Sequence, residues 1–205
     1  MARRKNPRGH GRKPGQSARE HQKALASVNP RKTFFTRRLG IPTAEQSWGA
    51  GAEGEEHVGR ILNQLAQAGW LVMHDLQVSR SGKNVDHLVI GPPGVFVVET
   101  KNVSGAVRVD GPDIQVNGYA KDYVEKLEWQ ALQVREELLS RVGWESLWVQ
   151  GLLVFVAPDL RVNKSPKYVE VLTDKALLAA LTNWEPQLSS GDMRELAQAT
   201  RAIWR

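Results

Sequence analysis

The tightest constraint on how this chain folds is one short stretch, Val85–Lys101, in which two apolar runs flank Gly91-Pro92-Pro93-Gly94. NVDHLVI and VFVVETK are rich in β-branched residues and are bounded by turn formers, the pattern of two strands joined by a tight connection. With residues 91–94 as that connection, Ile90 faces Val95, Leu88 faces Val97 and Asp86 faces Glu99. Directly opposite residues share a face, as do residues two apart on one strand. One face then carries Ile90, Leu88, Val95 and Val97 and, at its far end, Asp86, Glu99 and Lys101. The other carries Val85, His87, Val89, Phe96, Val98 and Thr100. Both faces are largely apolar, so the pair belongs in the middle of a sheet covered on both sides.

The remaining elements fit around that hairpin. EEHVGRILNQLAQAG, from Gly54, places Val58, Ile61, Leu62, Leu65 and Ala66 at helical spacing and ends at Gly69. WLVMHDLQV reads as a strand, RSGKN as a turn with a basic tip, and AVRVD as a short strand. Residues 112–120 read as irregular or a small hairpin. A long helix is expected over Tyr119–Val142, with Val124, Leu127, Ala131, Val134 and Leu138 facing inward. LLVFVA is long enough for a buried strand, and KYVEVL is a further strand candidate. Asp174 opens a helix bearing Leu177, Leu178 and Leu181, and a last helix runs over 192–203. The expected fold class is α/β, a mixed central β-sheet flanked by helices.

Charge divides the chain. Residues 1–45 hold 12 Lys/Arg against 2 Glu, whereas residues 46–205 hold 16 Lys/Arg against 20 Asp/Glu. The opening MARRKNPRGHGRKPGQSAR has too few apolar residues to offset its ordering entropy, so 1–45 reads as a flexible, largely disordered basic arm and 46–205 as the folded domain. VNPRKTFFTRRLGIP carries enough apolar residues to pack on the body, and the Trp48–Gly51 region marks where that body begins. The arm is either a solubilising tail or a phosphate-seeking one. In the second case Arg3, Arg4, Lys5, Arg8, Arg12, Lys13, Arg37 and Arg38 would displace counterions from nucleic acid without reading its sequence.

Several classes fall away. With zero cysteines, disulfide scaffolds, thiolate zinc sites, iron–sulfur clusters and cysteine nucleophiles are excluded, and a reducing cytoplasm is the expected location. No apolar run reaches the ~18 residues of a membrane span. The basic N-terminus lacks the apolar stretch of a signal peptide. No two histidines have the i, i+4 spacing of a zinc protease, and His87 faces away from the carboxylates, as a packed core residue would. Gly91–Gly94 is a turn and not a phosphate loop, because no Gly-Lys-Ser/Thr follows it. Trp129, Trp144 and Trp148 suit packing around the long helix, with stacking on unpaired bases as the alternative.

The chemistry concentrates at Asp86, Glu99 and Lys101. Two carboxylates side by side on a sheet repel each other, and a cation relieves the repulsion. Hard divalent ions such as Mg²⁺ take one or two carboxylates and keep water. The lysine on the same face could bind a phosphate or orient an attacking water; alternatively the trio is a structural ion cluster at the sheet rim. On the first helix Glu55 points toward the apolar stripe while Glu56 points away. Glu55 is therefore either a third acidic ligand or a residue placed to suit the helix dipole.

At these residues the chain resembles the nuclease-related domain (NERD) proteins of the PD-(D/E)xK nuclease superfamily. The resemblance is carried by GAEGEEHVGRILNQL and NVDHLVIGPPGVFVVETKNVSG: Gly51, Gly54 and Glu55, then Asp86, then Glu99-Thr100-Lys101, with Asn102 and Gly105 behind them. It covers roughly residues 50–160 and implies a restriction-endonuclease-like core. It further implies that Asp86, Glu99 and the Thr100 carbonyl bind the catalytic metal, that Lys101 positions or activates water, and that Glu55 is the auxiliary acid. Family members often carry Asn-Pro and then Gln on the helix after the sheet; here Gln130 stands in place and the Asn-Pro does not. The expected function is hydrolysis of phosphodiester bonds with Mg²⁺ or Mn²⁺, in DNA in preference to RNA, with a homodimer left open. The alternatives are an inactive nucleic-acid-binding module of the same fold and a protein-interaction domain.

Overall fold

The computed structural model of the protein describes residues 12–28, 44–78, 84–156 and 158–204. A five-stranded mixed sheet, ordered β1-β2-β3-β7-β9, forms the centre. Its strands are β1 (Leu71–Gln77), β2 (Asn84–Gly91), β3 (Gly94–Asn102), β7 (Val149–Val156) and β9 (Val169–Thr173). β1, β2 and β3 are antiparallel neighbours, whereas β3–β7 and β7–β9 are parallel. The β2–β3 register is the expected one, with Ile90 opposite Val95 and Leu88 opposite Val97, closed by Pro92-Pro93 between paired Gly91 and Gly94. β7 is apolar on both faces because helices cover both sides of the sheet.

One face is covered by α2 (Ala44–Ala66) and α4 (Leu177–Asn183), whose Val58, Leu62, Leu65, Leu177 and Leu181 pack against Val89, Phe96, Val98, Leu152 and Val154. The other is covered by α3 (Tyr123–Val142) and α5 (Ser190–Ile203), whose Leu127, Val134, Leu138 and Leu196 pack against Leu88, Ile90, Val95, Val97, Leu153 and Phe155. The five residues expected to face inward on the long helix are buried, and Gln130 is buried beside them.

A second, four-stranded sheet, ordered β6-β5-β4-β8, continues from the ends of β3 and β7. It comprises β4 (Ala106–Asp110), β5 (Asp113–Val116), β6 (Tyr119–Lys121) and β8 (Asp159–Lys164). Val107, Val109, Ile114 and Val116 join the same core as α3. The long helix consequently starts at Tyr123 and not at Tyr119, because Tyr119–Lys121 pairs with β5. β8 was not expected: Asp159–Lys164 is mostly polar and exposed, and it is held by backbone pairing to β4.

The N-terminal region also departs from expectation. Gln16–Val28 is a helix, α1, packed on α2, so a mobile tail does not describe residues 12–28. Arg19 pairs with Glu56 at 2.7 Å, and Arg12 reaches Asp75 at 3.1 Å. Gly15, with φ of 70°, passes so close that a Cβ there would lie 2.8 Å from the Ala52 carbonyl oxygen. Among the described residues, these polar contacts and the buried Ala18 tie α1 to the body. α2 begins at Ala44, ten residues before the periodic segment that announced it. Residues 1–11 and 29–43, the rest of the expected arm, lie outside the described residues, as does most of the RSGKN turn.

Candidate active site

Asp86 stands near the start of β2, and Glu99 and Lys101 stand near the end of β3. The Asp86 carboxylate accepts a hydrogen bond from the Thr100 backbone N–H at 2.8 Å. That contact stitches the two strands just beyond the last paired residues, His87 and Val98. Lys101 forms an ion pair with Glu99 and lies 5.0 Å from the centre of the Tyr123 ring at the head of α3.

Glu55 enters from the other side of the sheet end. α2 can bring it there because Gly54 passes directly over β3: a Cβ at position 54 would lie 2.6 Å from the Asn102 Cβ. Asn102 returns the contact by donating a side-chain hydrogen bond to the Ala50 carbonyl at 2.8 Å. The Gly-Glu step on the helix and the Lys-Asn step on the strand are thus two halves of one close packing contact.

The electrostatics are those of crowded acids around Lys101. Burial, then Glu99 and Asp75, raise the Glu55 carboxyl from its ordinary 4.5 to about 7, against the opposing effect of Lys101. Burial first, then Glu99 and Glu55, push Asp86 well above the ordinary aspartate range. Burial alone would lower Lys101, but Glu99 and Asp86 outweigh it and raise the ammonium above its ordinary value. An ammonium held so firmly charged donates hydrogen bonds and does not take a proton from water.

Gln130 reaches the site from α3. Its Nε2 donates to the Asn84 carbonyl at 2.9 Å and to Glu99 Oε2 at 3.3 Å. Its Oε1 is buried without a hydrogen-bond partner. The reverse amide orientation would set an oxygen against a carbonyl and a carboxylate, so the neighbours fix this one. Among the described residues no three His, Asp or Glu side chains form a ready metal cage. Two carboxylates beside an orphaned amide oxygen nevertheless fit a hard ion that retains water, in the manner of Mg²⁺.

Beneath the site His74 and His87 face each other, Nδ1 to Nδ1, at 2.8 Å. His74 Nε2 lies 3.1 Å from Asn63 Oδ1, and His87 Nε2 lies 3.4 Å from Thr100 Oγ1. Burial lowers both imidazoles, His74 to about 4, so the pair is neutral and one proton lies between the rings. His87 is a packed residue, fully buried on the face away from the carboxylates.

The structure therefore gathers Glu55, Asp86, Glu99, Thr100, Lys101 and Gln130 at one end of the central sheet. Of the basic residues assigned to nucleic acid, only Arg12 and Lys13 are described, and neither reaches this cluster. Arg12 is turned to Asp75 and Glu20, Lys13 is exposed, and Arg3, Arg4, Lys5, Arg8, Arg37 and Arg38 lie outside the described residues. Tyr123 and Asp75 were missed. Each belongs to the site only through contacts between residues distant in sequence, for which no local pattern exists. Trp148 is exposed, 6.0 Å from the Tyr168 ring, rather than packed on the helix.

A mixed sheet layered between helices, with two carboxylates and a lysine at its strand ends, places the chain among nuclease-like α/β proteins. The nuclease-related domain family matches residues 50–156, about half of the chain, and the protein belongs to that family. It is also 41% identical over 58 residues to the uncharacterized protein pXO1-01 of Bacillus anthracis, a match covering 27% of this chain and 27% of that one. The match thus spans about a quarter of that curated relative. No solved structure matches the chain.

Proposed function

We propose that the protein is a divalent-metal-dependent nuclease that hydrolyses phosphodiester bonds in DNA. The observation that carries this reading is the trio at the sheet end: Lys101 ion-paired with Glu99, with Asp86 held against Thr100 N–H beside them. Asp86, Glu99 and the Thr100 carbonyl would hold Mg²⁺ or Mn²⁺, with Glu55 as the auxiliary acid. When bound, such an ion polarises the scissile phosphate and makes its bound water more acidic.

The chain's own groups supply the rest. The Lys101 ammonium donates a hydrogen bond to the attacking water or to a phosphate oxygen, and its fixed charge offsets negative charge that grows in the transition state. Glu99 holds Lys101 in place, and the Tyr123 ring flanks its other side. Gln130 restrains the Glu99 carboxylate through Oε2. Membership of the family and the spacing of these groups support the reading. The cationic residues before position 12 would contribute affinity that does not depend on base sequence.

The test is cleavage of supercoiled, linear and single-stranded DNA by full-length protein with Mg²⁺, Mn²⁺ or EDTA. Asp86→Ala and Lys101→Ala run beside it. Metal-dependent cleavage that falls by at least about 100-fold in both variants is expected, a loss on the scale of removing one transition-state donor. Absence of cleavage on every substrate, with wild type and variants binding DNA alike, would instead make this a binding module of nuclease fold.

A further inference from the structure

The N-terminal segment and the acidic site are joined by an unbroken hydrogen-bonded path. Asp75 lies in β1, is 3% exposed and has a φ of 53°, a left-handed backbone unusual for a residue within a strand. The β1–β2 ladder skips the step at Asp75, between the His74–His87 and Leu76–Val85 pairs. Across that gap stands Asp86. A buried carboxylate on a strained backbone is costly twice over, and such costs concentrate at functional sites.

The N-terminal segment satisfies that carboxylate. Its Oδ2 accepts from Ser17 N–H at 3.1 Å, from Ser17 Oγ at 2.9 Å and from Arg12 at 3.1 Å. Its Oδ1 accepts from Asn84 Nδ2 at 2.6 Å. Asn84 also donates to Ser17 Oγ at 2.7 Å, and Arg12 to the same oxygen at 2.6 Å. The Ser17 hydroxyl thus accepts twice and spends its single proton on Asp75. From Asn84 the path continues through its backbone carbonyl to Gln130 and thence to Glu99.

We propose that Ser17, Asp75 and Asn84 are positioning residues for the acidic site: docking of the N-terminal segment fixes Asn84, which holds Gln130 against Glu99. This rests on the reading of Asp86 and Glu99 as metal-binding, which it deepens. On this account residues 12–28 complete a hydrolytic site that begins elsewhere in the chain. Neither Ser17 nor Asp75 touches the reacting atoms; Ser17 acts through Asn84 and Gln130, and Asp75 acts by the same route and also by its charge on Glu55. Outer groups that orient metal ligands commonly change metal affinity 10- to 100-fold when removed, as a general order of magnitude.

The experiment uses the full-length chain with Ser17→Ala, Ser17→Thr and Asp75→Asn. Two quantities are measured. The first is the side-chain amide resonance of Gln130 in metal-free protein. The second is the Mn²⁺ concentration at half-saturation, the midpoint of a calorimetric titration. Ser17→Ala is expected to shift the Gln130 resonance and to raise the Mn²⁺ midpoint about tenfold. Ser17→Thr, which keeps the hydroxyl, restores both. Asp75→Asn is expected to act in the same direction, and Ser17→Ala carries the test should that variant fail to fold. An unmoved Gln130 resonance, or an unmoved midpoint in Ser17→Ala, overturns the proposal. If wild type itself shows no Mn²⁺ response, the metal-binding reading falls, and the Gln130 resonance alone then decides whether the path couples.

Discussion

Glu55 sits where its charge is costly, and that cost has a sign. Its folded-state value of about 7 lies above the ordinary 4.5. A group raised in this way stabilises the fold fully below its unfolded value, and the contribution is lost as pH rises through the folded value. Thermal unfolding of metal-free protein is therefore expected to show a melting temperature that declines as pH rises from about 4.5 to about 7. Glu55→Gln should make that decline shallower, since an amide has no proton to lose. Parallel pH profiles for the two proteins would show that Glu55 carries no such burden. At this scale the sequence was informative where a rule of period two applied. Asp86, Glu99 and Lys101 share a face because opposite and alternate residues do, and the register needed only the Gly-Pro-Pro-Gly turn. Asp75 was invisible for the complementary reason: its role follows from a left-handed backbone and from Arg12, far away in the chain.

The site depends on two elements lying unusually close. α2 crosses β3 at Gly54, where a Cβ would overlap the Asn102 Cβ at 2.6 Å. Gly54→Ala must push the helix away or shift the strand, and overpacking of this kind typically costs ~1–3 kcal/mol. Chemical denaturation should show that loss, and cleavage should fall further than stability alone accounts for, because the helix carries Glu55. An alanine variant with wild-type midpoint and activity would mean that the contact yields freely. The elements legible in advance were those with apolar patterning: the 54–66 part of α2, β1, the hairpin of β2 and β3, α3, β7, β9, α4 and α5. α1 was not, since its charged composition groups it with the basic arm, and β8 was not, since backbone pairing to β4 holds it and leaves no apolar pattern to read.

For the molecule as a whole, the division of charge does not coincide with the division of structure. Residues 12–28 belong to the folded body even though their composition groups them with the basic arm. The fair test of electrostatic DNA binding is consequently removal of residues 1–11 alone, which takes away Arg3, Arg4, Lys5 and Arg8 and spares the docked helix. Removing four cations should flatten the slope of log affinity against log salt by as much as about 3 to 4, with the melting temperature unchanged. An unaltered slope would remove the arm from DNA binding. The mixed sheet between helical layers was legible from the alternation of strand and helix patterns. The second sheet was legible only in AVRVD and a doubtful hairpin, because its strands are short and half polar.

The parallel pairing of β3 with β7 has a further consequence, for the order in which the molecule comes into being. Glu99 and Lys101 lie beside Leu153 and Phe155, with the second sheet's hairpin and the whole of α3 intervening in the chain. Contacts between such distant segments form late, because the chain between them must first be closed into a loop. During synthesis the strand bearing the lysine leaves the ribosome well ahead of the neighbour that locks it into the sheet. A nascent chain halted before Val149 would hold every acidic residue of the site but lack the strand that flanks Glu99 and Lys101 in the sheet.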